Sequence, residues 1–191
     1  MIKDKITPQL KKAFSESIDK TKNTHREHGF YMCIANRLFP SEVKCEGSMC
    51  RIETEMKTGI CPDKIQGFFH AHPHKPLLEM IIGRKISDIE IKKMRIKSKE
   101  FEKLGITIQT PSHRDVLTAF ITKCEKRTEG TTCTGSDLGT DKVECWTPKK
   151  NADNFITCNI AKIDDKVTKE IGGFPKRWIR RLFDKEIINL E

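Results

Sequence analysis

Apolar residues recur at helical spacing near the start of the chain. Thr7 and Pro8 have the character of an N-cap and a first-turn proline, and together they mark a helix start. The pattern that follows predicts an amphipathic helix ending near Asp19. Its inward face would consist of Leu10, Ala13, Phe14 and Ile18.

Short apolar runs without helical spacing follow this segment. Residues 30–35 and 65–69 are continuous apolar runs, which favours buried strands. Residues 42–55 are typical of a hairpin with its turn at 46–48. Further strands are predicted at residues 106–108, 143–146 and 155–160. The segment 130–139 is rich in Gly, Thr and Ser and predicts a loop or turn.

Two helix N-cap motifs and one pattern of apolar residues near the end of the sequence predict the remaining helices. Ser87 and Glu90 form a capping box that opens a lysine-rich helix to about residue 104, and Ser112 starts another helix. A last helix is predicted from Pro175 onward, with Trp178, Leu182, Phe183, Ile187 and Leu190 facing inward. The whole pattern indicates one α/β (α+β) domain over residues 1–191, with a mixed β-sheet flanked by helices.

The charge balance bears on partners and location. The net charge is +9, but lysine is scattered, which is typical of a solvated surface and does not favour nucleic acid as a partner. The densest basic cluster is PKRWIRR at 175–181, which fits a docked amphipathic helix better. No apolar run is long enough to span a membrane, and the N-terminus lacks a secretory signal. We therefore expect a cytoplasmic protein without a membrane partner.

Eight cysteines are many for a chain of this size. No two of them form a C-x-x-C pair, so zinc-ribbon and thioredoxin-like sites lack their usual signature. Disulfides are rare inside cells except in hyperthermophiles, and buried free thiols are the alternative. The sequence leaves both states open.

The stretch IQGFFHAHPHKP at 65–76 carries the strongest chemical signal. His70 and His72 lie two apart at the end of a predicted strand, so both imidazoles project to one face and can reach one ion. A catalytic zinc site needs a third protein ligand and keeps one position for water. A surface histidine pair ahead of a proline remains the alternative. His74 and His113 flank the site; each could tune its electrostatics or bind substrate, but exposed loop histidines are the interpretation that we favour.

The wider order of motifs resembles the JAMM (MPN+) zinc metalloprotease family. In that family a distant glutamate precedes H-x-H-P and then S-x-x-D, and here GFFHAHP (67–73) is followed by PSHRDVL (111–117). Glu27, just ahead of the first predicted strand, stands where the family has its glutamate; Glu16 and Glu42 are competitors in poorer positions. Between Pro73 and Ser112 lie 38 residues, which indicates an insertion at about 75–110.

The resemblance implies a fold, a metal and a set of roles. The fold would have a JAMM/MPN-like (cytidine-deaminase-like) core, with the lysine-rich helix inserted. His70, His72 and Asp115 would hold Zn²⁺, Glu27 would act as the general base, and Ser112 would donate a hydrogen bond to the oxyanion. The substrate would be a protein or peptide, cleaved at a peptide or isopeptide bond, with removal of a ubiquitin-like modifier as one form of this activity.

Two other functions remain open at this point. One is a catalytically silent scaffold of the same fold, which is less favoured because all four positions of the motif are filled. The other is a basic nucleic-acid-binding module, for which only the charge and the PKRWIRR segment speak.

Overall fold

A computed structural model describes residues 1–48, 52, 59–94, 110–138, 141–171 and 177–191. Within these residues the chain forms a six-stranded sheet in the order β2-β1-β3-β4-β5-β6. The strands are β1 (His28–Ala35), β2 (Arg37–Glu46), β3 (Lys64–His72), β4 (Thr131–Ser136), β5 (Lys142–Pro148) and β6 (Phe183–Asn189). Neighbours pair antiparallel except β3 and β4, which pair parallel. The expected mixed sheet with helices is therefore confirmed.

The helices lie on the two faces of this sheet. They are α1 (Pro8–Thr24), α2 (His74–Ile82), α3 (Asp88–Met94), α4 (His113–Cys124), α5 (Phe155–Ile171) and α6 (Arg177–Arg180). Helix α1 contacts β1 to β4, whereas α4 contacts β4, α5 and α6. In the part of the chain that the structure describes, no helix combines the length and apolar character needed to cross a bilayer.

Strand alternation separates the two larger of three hydrophobic cores in the described residues. Under α1, the rings of Phe14, Phe30 and Phe69 meet at centroid distances of 4.6 to 5.8 Å. Side chains alternate along a strand, so Phe68 and His70 point to the opposite face from Phe69. On that opposite side a second core forms, built from Val116, Leu117, Phe120, Ala152, Ala161, Ile179 and Phe183.

Three disulfides link the described part of the chain. They join Cys33 to Cys61, Cys124 to Cys158, and Cys133 to Cys145. The second ties α4 to α5, and the third crosses directly between β4 and β5. Among the described cysteines, Cys45 is free. Of the two states that the sequence left open, the disulfide applies to these six residues.

Several predicted elements are confirmed. Thr7 caps α1, its hydroxyl accepting from Leu10 N at 3.2 Å, and the helix runs five residues beyond Asp19 to Thr24. The runs at 30–35 and 65–69 lie in β1 and β3. The capping box of Ser87 and Glu90 opens α3, while residues 95–104 and the strand predicted at 106–108 lie outside the described residues.

The predicted hairpin at 42–55 is only partly visible. Residues 42–46 belong to β2, which begins at Arg37 and pairs with β1 across a turn at Asn36. Asn36 has a φ of 59°, a left-handed conformation that Asn tolerates better than most residues. Most of the second predicted arm lies outside the described residues.

The loop predicted at 130–139 is wrong for most of its length. Thr131–Ser136 forms β4, all six residues of which are buried between β3 and β5. Its small residues serve close packing: a Cβ on Gly135 would lie 2.7 Å from Ile18 Cδ1 of α1. Glycine here permits the approach of a helix, which composition alone does not distinguish from a turn.

The strand predicted at 155–160 is wrong, and the last predicted helix is confirmed only in part. Residues 155–160 begin helix α5, where Asn154 Oδ1 accepts from Thr157 N at 3.0 Å in the manner of an N-cap, and a short apolar run does not separate helix from strand. The helix predicted from Pro175 is limited to α6 in the described residues. Residues 183–189 form β6 instead, because β5 offers them an edge to pair with.

Candidate metal centre

The end of β3 and the start of β1 bring the first two site residues together. In the antiparallel register His28 faces Ala71, so Glu27 faces His72 when the register is continued by one residue. Residues opposite each other in neighbouring strands have their side chains on the same face. The measured contact agrees, with Glu27 Oε1 3.4 Å from His72 Nδ1.

Helix α4 supplies a second carboxylate. It follows the 38 residues that separate Pro73 from Ser112. Its first turn places Asp115 Oδ1 3.5 Å from His70 Nε2 and Asp115 Oδ2 3.7 Å from His72 Nε2. The two Nε2 atoms therefore face one carboxylate. The structure thus brings together Glu27, His70, His72 and Asp115, which the sequence selected from three separate segments.

The spacing of these atoms suits a metal ion. The distances of 3.4 to 3.7 Å exceed the usual 2.7–3.2 Å of an N–H···O hydrogen bond. Zinc bonds of about 2.0–2.2 Å in a tetrahedron put ligand atoms about 3.4 Å apart, close to the 3.5 and 3.7 Å between the Asp115 oxygens and the two Nε2 atoms. Glu27, His70 and His72 also form a group whose ligand atoms all lie within 4.8 Å of one another. This buried group can hold a metal ion.

The environment of His70 supports the same conclusion. The residue is 4% exposed, and its Nδ1 is buried without a hydrogen-bond partner in the described part of the chain. Its Nε2 contact with Asp115, at 3.5 Å, is long for a hydrogen bond. A buried imidazole with neither nitrogen in a bond of ordinary length is costly, and a metal bond at Nε2 would satisfy one of its two nitrogens.

The carboxylates dominate the electrostatics of the centre. Burial by itself lowers the pKa of His72, but the adjacent carboxylates of Asp115 and Glu27 outweigh it and raise the pKa to about 9. Burial by itself raises the pKa of Asp115, yet His70 and His72 hold that pKa well below its usual range. The metal-free centre thus attracts positive charge, and a bound cation would take the place of the proton.

Ser112 is the N-cap of α4 and is exposed to solvent. Its hydroxyl oxygen accepts from Asp115 N at 3.1 Å, and its own N–H donates to Asp115 Oδ2 at 2.7 Å. The capping box thus fixes the rotamer of Asp115 beside the histidines. Because the Ser112 oxygen acts as acceptor there, its hydroxyl hydrogen is not used by this contact.

His74 is not the exposed loop residue that the sequence predicted. It begins α2, is half-buried, and stacks on His72 with ring centroids 5.1 Å apart. Its Nδ1 lies 2.8 Å from Ser136 Oγ at the end of β4. Burial and the charges of His72 and His70 lower the pKa of His74 to about 3.

His113 is likewise buried, contrary to prediction. Its Nε2 lies 3.0 Å from Asp164 Oδ2, a contact that joins α4 to α5 just behind Ser112. The preceding backbone is held by α6, since Arg180 donates to the Pro111 carbonyl oxygen at 3.2 Å. Arg180 also lies over the Trp146 ring, so this part of the basic cluster faces the protein interior.

Sequence reasoning missed the contribution of β4 to this region. Asp137 accepts from Lys75 N with both carboxylate oxygens at 3.1 Å, capping α2 from outside. Burial raises the pKa of Asp137 to about 6, although backbone N–H groups oppose the rise. The signal in the sequence was weak, because residues 136 and 137 lie in a segment that composition assigns to a loop.

No protein-family model, curated protein or solved structure matches the chain. The likeness to the JAMM family therefore depends on the motif residues and their arrangement alone, and it stays a prediction.

Proposed function

We propose that the chain is a zinc-dependent hydrolase of the JAMM type that cleaves peptide or isopeptide bonds. The observation that carries the proposal is the position of Asp115, whose two oxygens lie 3.5 and 3.7 Å from the Nε2 atoms of His70 and His72. Two imidazoles and one carboxylate with the fourth position left for water are the ligand set of a catalytic zinc site. Zinc is one metal that suits this donor set.

Within this proposal, His70 and His72 bind the ion through Nε2, and Asp115 provides the third ligand. Glu27 contacts His72 on its other nitrogen, Nδ1, at 3.4 Å. A carboxylate in that place holds the imidazole with its Nδ1 protonated and its Nε2 free for the metal. Glu27 therefore orients a ligand in the resting site.

The same glutamate is our proposed general base. A zinc ion held by these residues would lower the pKa of a water molecule to about 7 and so make a nucleophile available. Glu27 is 4% exposed and belongs to the group with His70 and His72 whose ligand atoms lie within 4.8 Å of one another. Its carboxylate accepts the proton and returns it to the nitrogen of the leaving amine.

Ser112 completes the proposed machinery. Its oxygen is fixed as the cap of α4, and its hydroxyl hydrogen remains available for donation. A fixed donor aimed at the carbonyl oxygen stabilises the charge that develops there during hydrolysis. The substrate is a protein or peptide, and a conjugate with a ubiquitin-like modifier is the form that the family likeness suggests.

A metal-binding protein without catalysis is the second candidate. It is favoured by the presence of a fourth donor, because Glu27 lies with His70 and His72 in a group whose ligand atoms are all within 4.8 Å of one another. If both carboxylates bind the ion, coordination is closed, as in structural zinc sites. Cobalt-substituted protein separates the two cases: an open site changes its visible spectrum when acetohydroxamate is added, and a closed site does not.

The decisive variant for catalysis is Glu27→Gln. Native protein should bind one zinc ion per chain and cleave fluorogenic or isopeptide-linked lysine peptides. Because Glu27 moves the proton but does not bind the ion, the variant should keep its zinc and lose about 10²- to 10⁴-fold in rate. Zinc is measured by atomic emission and cleavage by fluorescence.

The matched control is Glu46→Gln, which changes a glutamate on the exposed strand β2 that pairs with Arg26. It should leave both zinc and cleavage unchanged. Normal cleavage by Glu27→Gln would show that the base is elsewhere, and loss of its zinc would make Glu27 a ligand.

A further inference from the structure

The parallel pairing of β3 and β4 places a third imidazole beside the metal centre. His72 and Ser136 are partners at the ends of these strands. The chain turns at Pro73, and His74 directs its ring back to Ser136, with Nδ1 2.8 Å from the hydroxyl oxygen. The rings of His72 and His74 stack with 22° between their planes.

The hydrogen bonds of Ser136 determine which nitrogen of His74 carries the proton. Ser136 is fully buried, and its oxygen accepts from Leu138 N at 3.2 Å. Its hydroxyl hydrogen must still find an acceptor, because a buried hydroxyl without one is unfavourable. Among the described residues, the acceptor in contact with this oxygen is His74 Nδ1. Ser136 therefore donates to Nδ1, which leaves the hydrogen of a neutral His74 on Nε2.

The backbone of His74 is held as firmly as its ring. The Asp137 carboxylate accepts from Lys75 N and from the N–H of His74, and Asp137 N donates to the His72 carbonyl oxygen at 3.1 Å. Ser136, the last residue of β4, and the adjacent Asp137 thus fix both ends of the short link from His72 to α2. Such a support makes His74 a positioned donor at the rim of the centre.

We infer that His74 is a further catalytic residue, whose Nε2–H donates a hydrogen bond to the carbonyl oxygen of the substrate bound at the metal centre. The inference rests on the proposed function. The hydrogen bond from Ser136 determines the tautomer of His74. The stacking of the His74 ring on His72 determines where its N–H lies. With Ser112 on α4, the carbonyl oxygen would then have donors on two separate elements, each fixed by its own hydrogen bond.

The tautomer can be measured without metal or substrate. Long-range ¹H–¹⁵N spectra of ¹⁵N-histidine-labelled, metal-free protein at neutral pH distinguish protonated from unprotonated ring nitrogens. We expect His74 to carry its hydrogen on Nε2 in native protein and to show a larger share of the Nδ1–H tautomer in Ser136→Ala. An Nδ1–H tautomer in native protein overturns the inference, whatever the metal does.

The role at the metal centre is measured by acetohydroxamate, a small oxyanion that binds zinc. In zinc-loaded protein, His74→Phe keeps the ring shape but removes the donor, so affinity should fall about tenfold or more. His74→Gln restores an N–H near the place of Nε2 and should recover most of the affinity. Peptide cleavage should follow the same order, with kcat reduced more than KM is changed.

The matched control is His28→Phe. His28 is also buried and pairs with a hydroxyl, Thr24 Oγ1, at 2.8 Å, but its partner belongs to α1. The control should leave acetohydroxamate affinity unchanged. Unchanged affinity in His74→Phe contradicts the inference alone, and loss of zinc in His74→Phe replaces it by a ligand role. Native protein that binds no zinc contradicts the proposed function, while the tautomer is judged separately.

Discussion

Helix α4 contributes to two buried groups in which histidine meets carboxylate, and the two groups lie close to each other. At the metal centre, His70 and His72 lie 3.4 to 3.7 Å from Glu27 and Asp115. Two residues before Asp115, His113 meets Asp164 at 3.0 Å. Residue types and burial are alike in the two groups, but only the second has the spacing of a direct hydrogen bond. The distance between the atoms therefore separates a directly hydrogen-bonded pair from a group that can hold a metal ion.

The origin of the difference is the way each group is supported. His70 and His72 stand on a central strand, and their carboxylates come from a strand start and a helix start that are fixed independently. The sheet and the capping box hold these donors apart. His113 and Asp164 lie on neighbouring helices joined by the Cys124–Cys158 disulfide, and nothing keeps them from direct contact.

Breaking the metal centre should have the largest effect. Asp115→Ala removes the carboxylate that faces both Nε2 atoms, so the zinc-dependent rise in melting temperature should disappear. For native protein that rise corresponds to about 2.7 kcal/mol when free zinc is a hundred times Kd. Differential scanning calorimetry with and without zinc measures it, and Asp141→Ala, at an exposed position ahead of β5, is the control. A full zinc response in Asp115→Ala would remove this residue from the ligand set.

Breaking the structural pair should have a smaller and different effect. Asp164→Ala takes the carboxylate partner from the buried His113, which should cost about 1–3 kcal/mol in the free energy of unfolding. Zinc binding should persist because no ligand is changed. Asp164→Asn keeps an acceptor and should be milder. Chemical denaturation gives the stability, and an Asp164→Ala protein that cannot bind zinc would show that the two groups act as one.

The smallest expected effects come from the capping boxes of α3 and α4. Ser112→Ala and Ser87→Ala each remove a helix cap, and each should cost about 1 kcal/mol of stability. Both boxes use the same backbone contacts, but only Ser112 lies beside a metal-centre residue. Cleavage should therefore fall in Ser112→Ala alone. Equal cleavage rates in the two variants would reduce Ser112 to a cap.

Local patterns predicted the first part of the fold and failed in the last part. Thr7, Ser87 and Ser112 cap their helices through local hydrogen bonds. The starts of these helices could therefore be predicted without knowledge of distant partners. Strand β6 contains no such signal. Its residues pair with β5, and that edge is created only when the sheet assembles. Strand β4 fails for a related reason, because burial of its small residues depends on α1 and two neighbouring strands.

The candidate site also has one part that the sequence predicted and one part that it did not. His70, His72, Glu27 and Asp115 were selected from a spaced motif and from the order of elements, and the structure brings them together. The support of His74 by Ser136 and Asp137 was not predictable, because it arises from parallel pairing of two strands that are far apart in the sequence. The roles of Glu27 and Ser112 in catalysis stay predictions.

The three disulfides have a practical consequence for counting metal. A preparation made under reducing conditions would carry six additional thiols, from Cys33, Cys61, Cys124, Cys133, Cys145 and Cys158. Thiolates are strong zinc ligands, so such material can take up zinc that has nothing to do with the histidines. Stoichiometry should therefore be determined on protein whose thiols have been titrated. A zinc signal that disappears on oxidation belongs to the cysteines, and one that survives belongs to the end of β3.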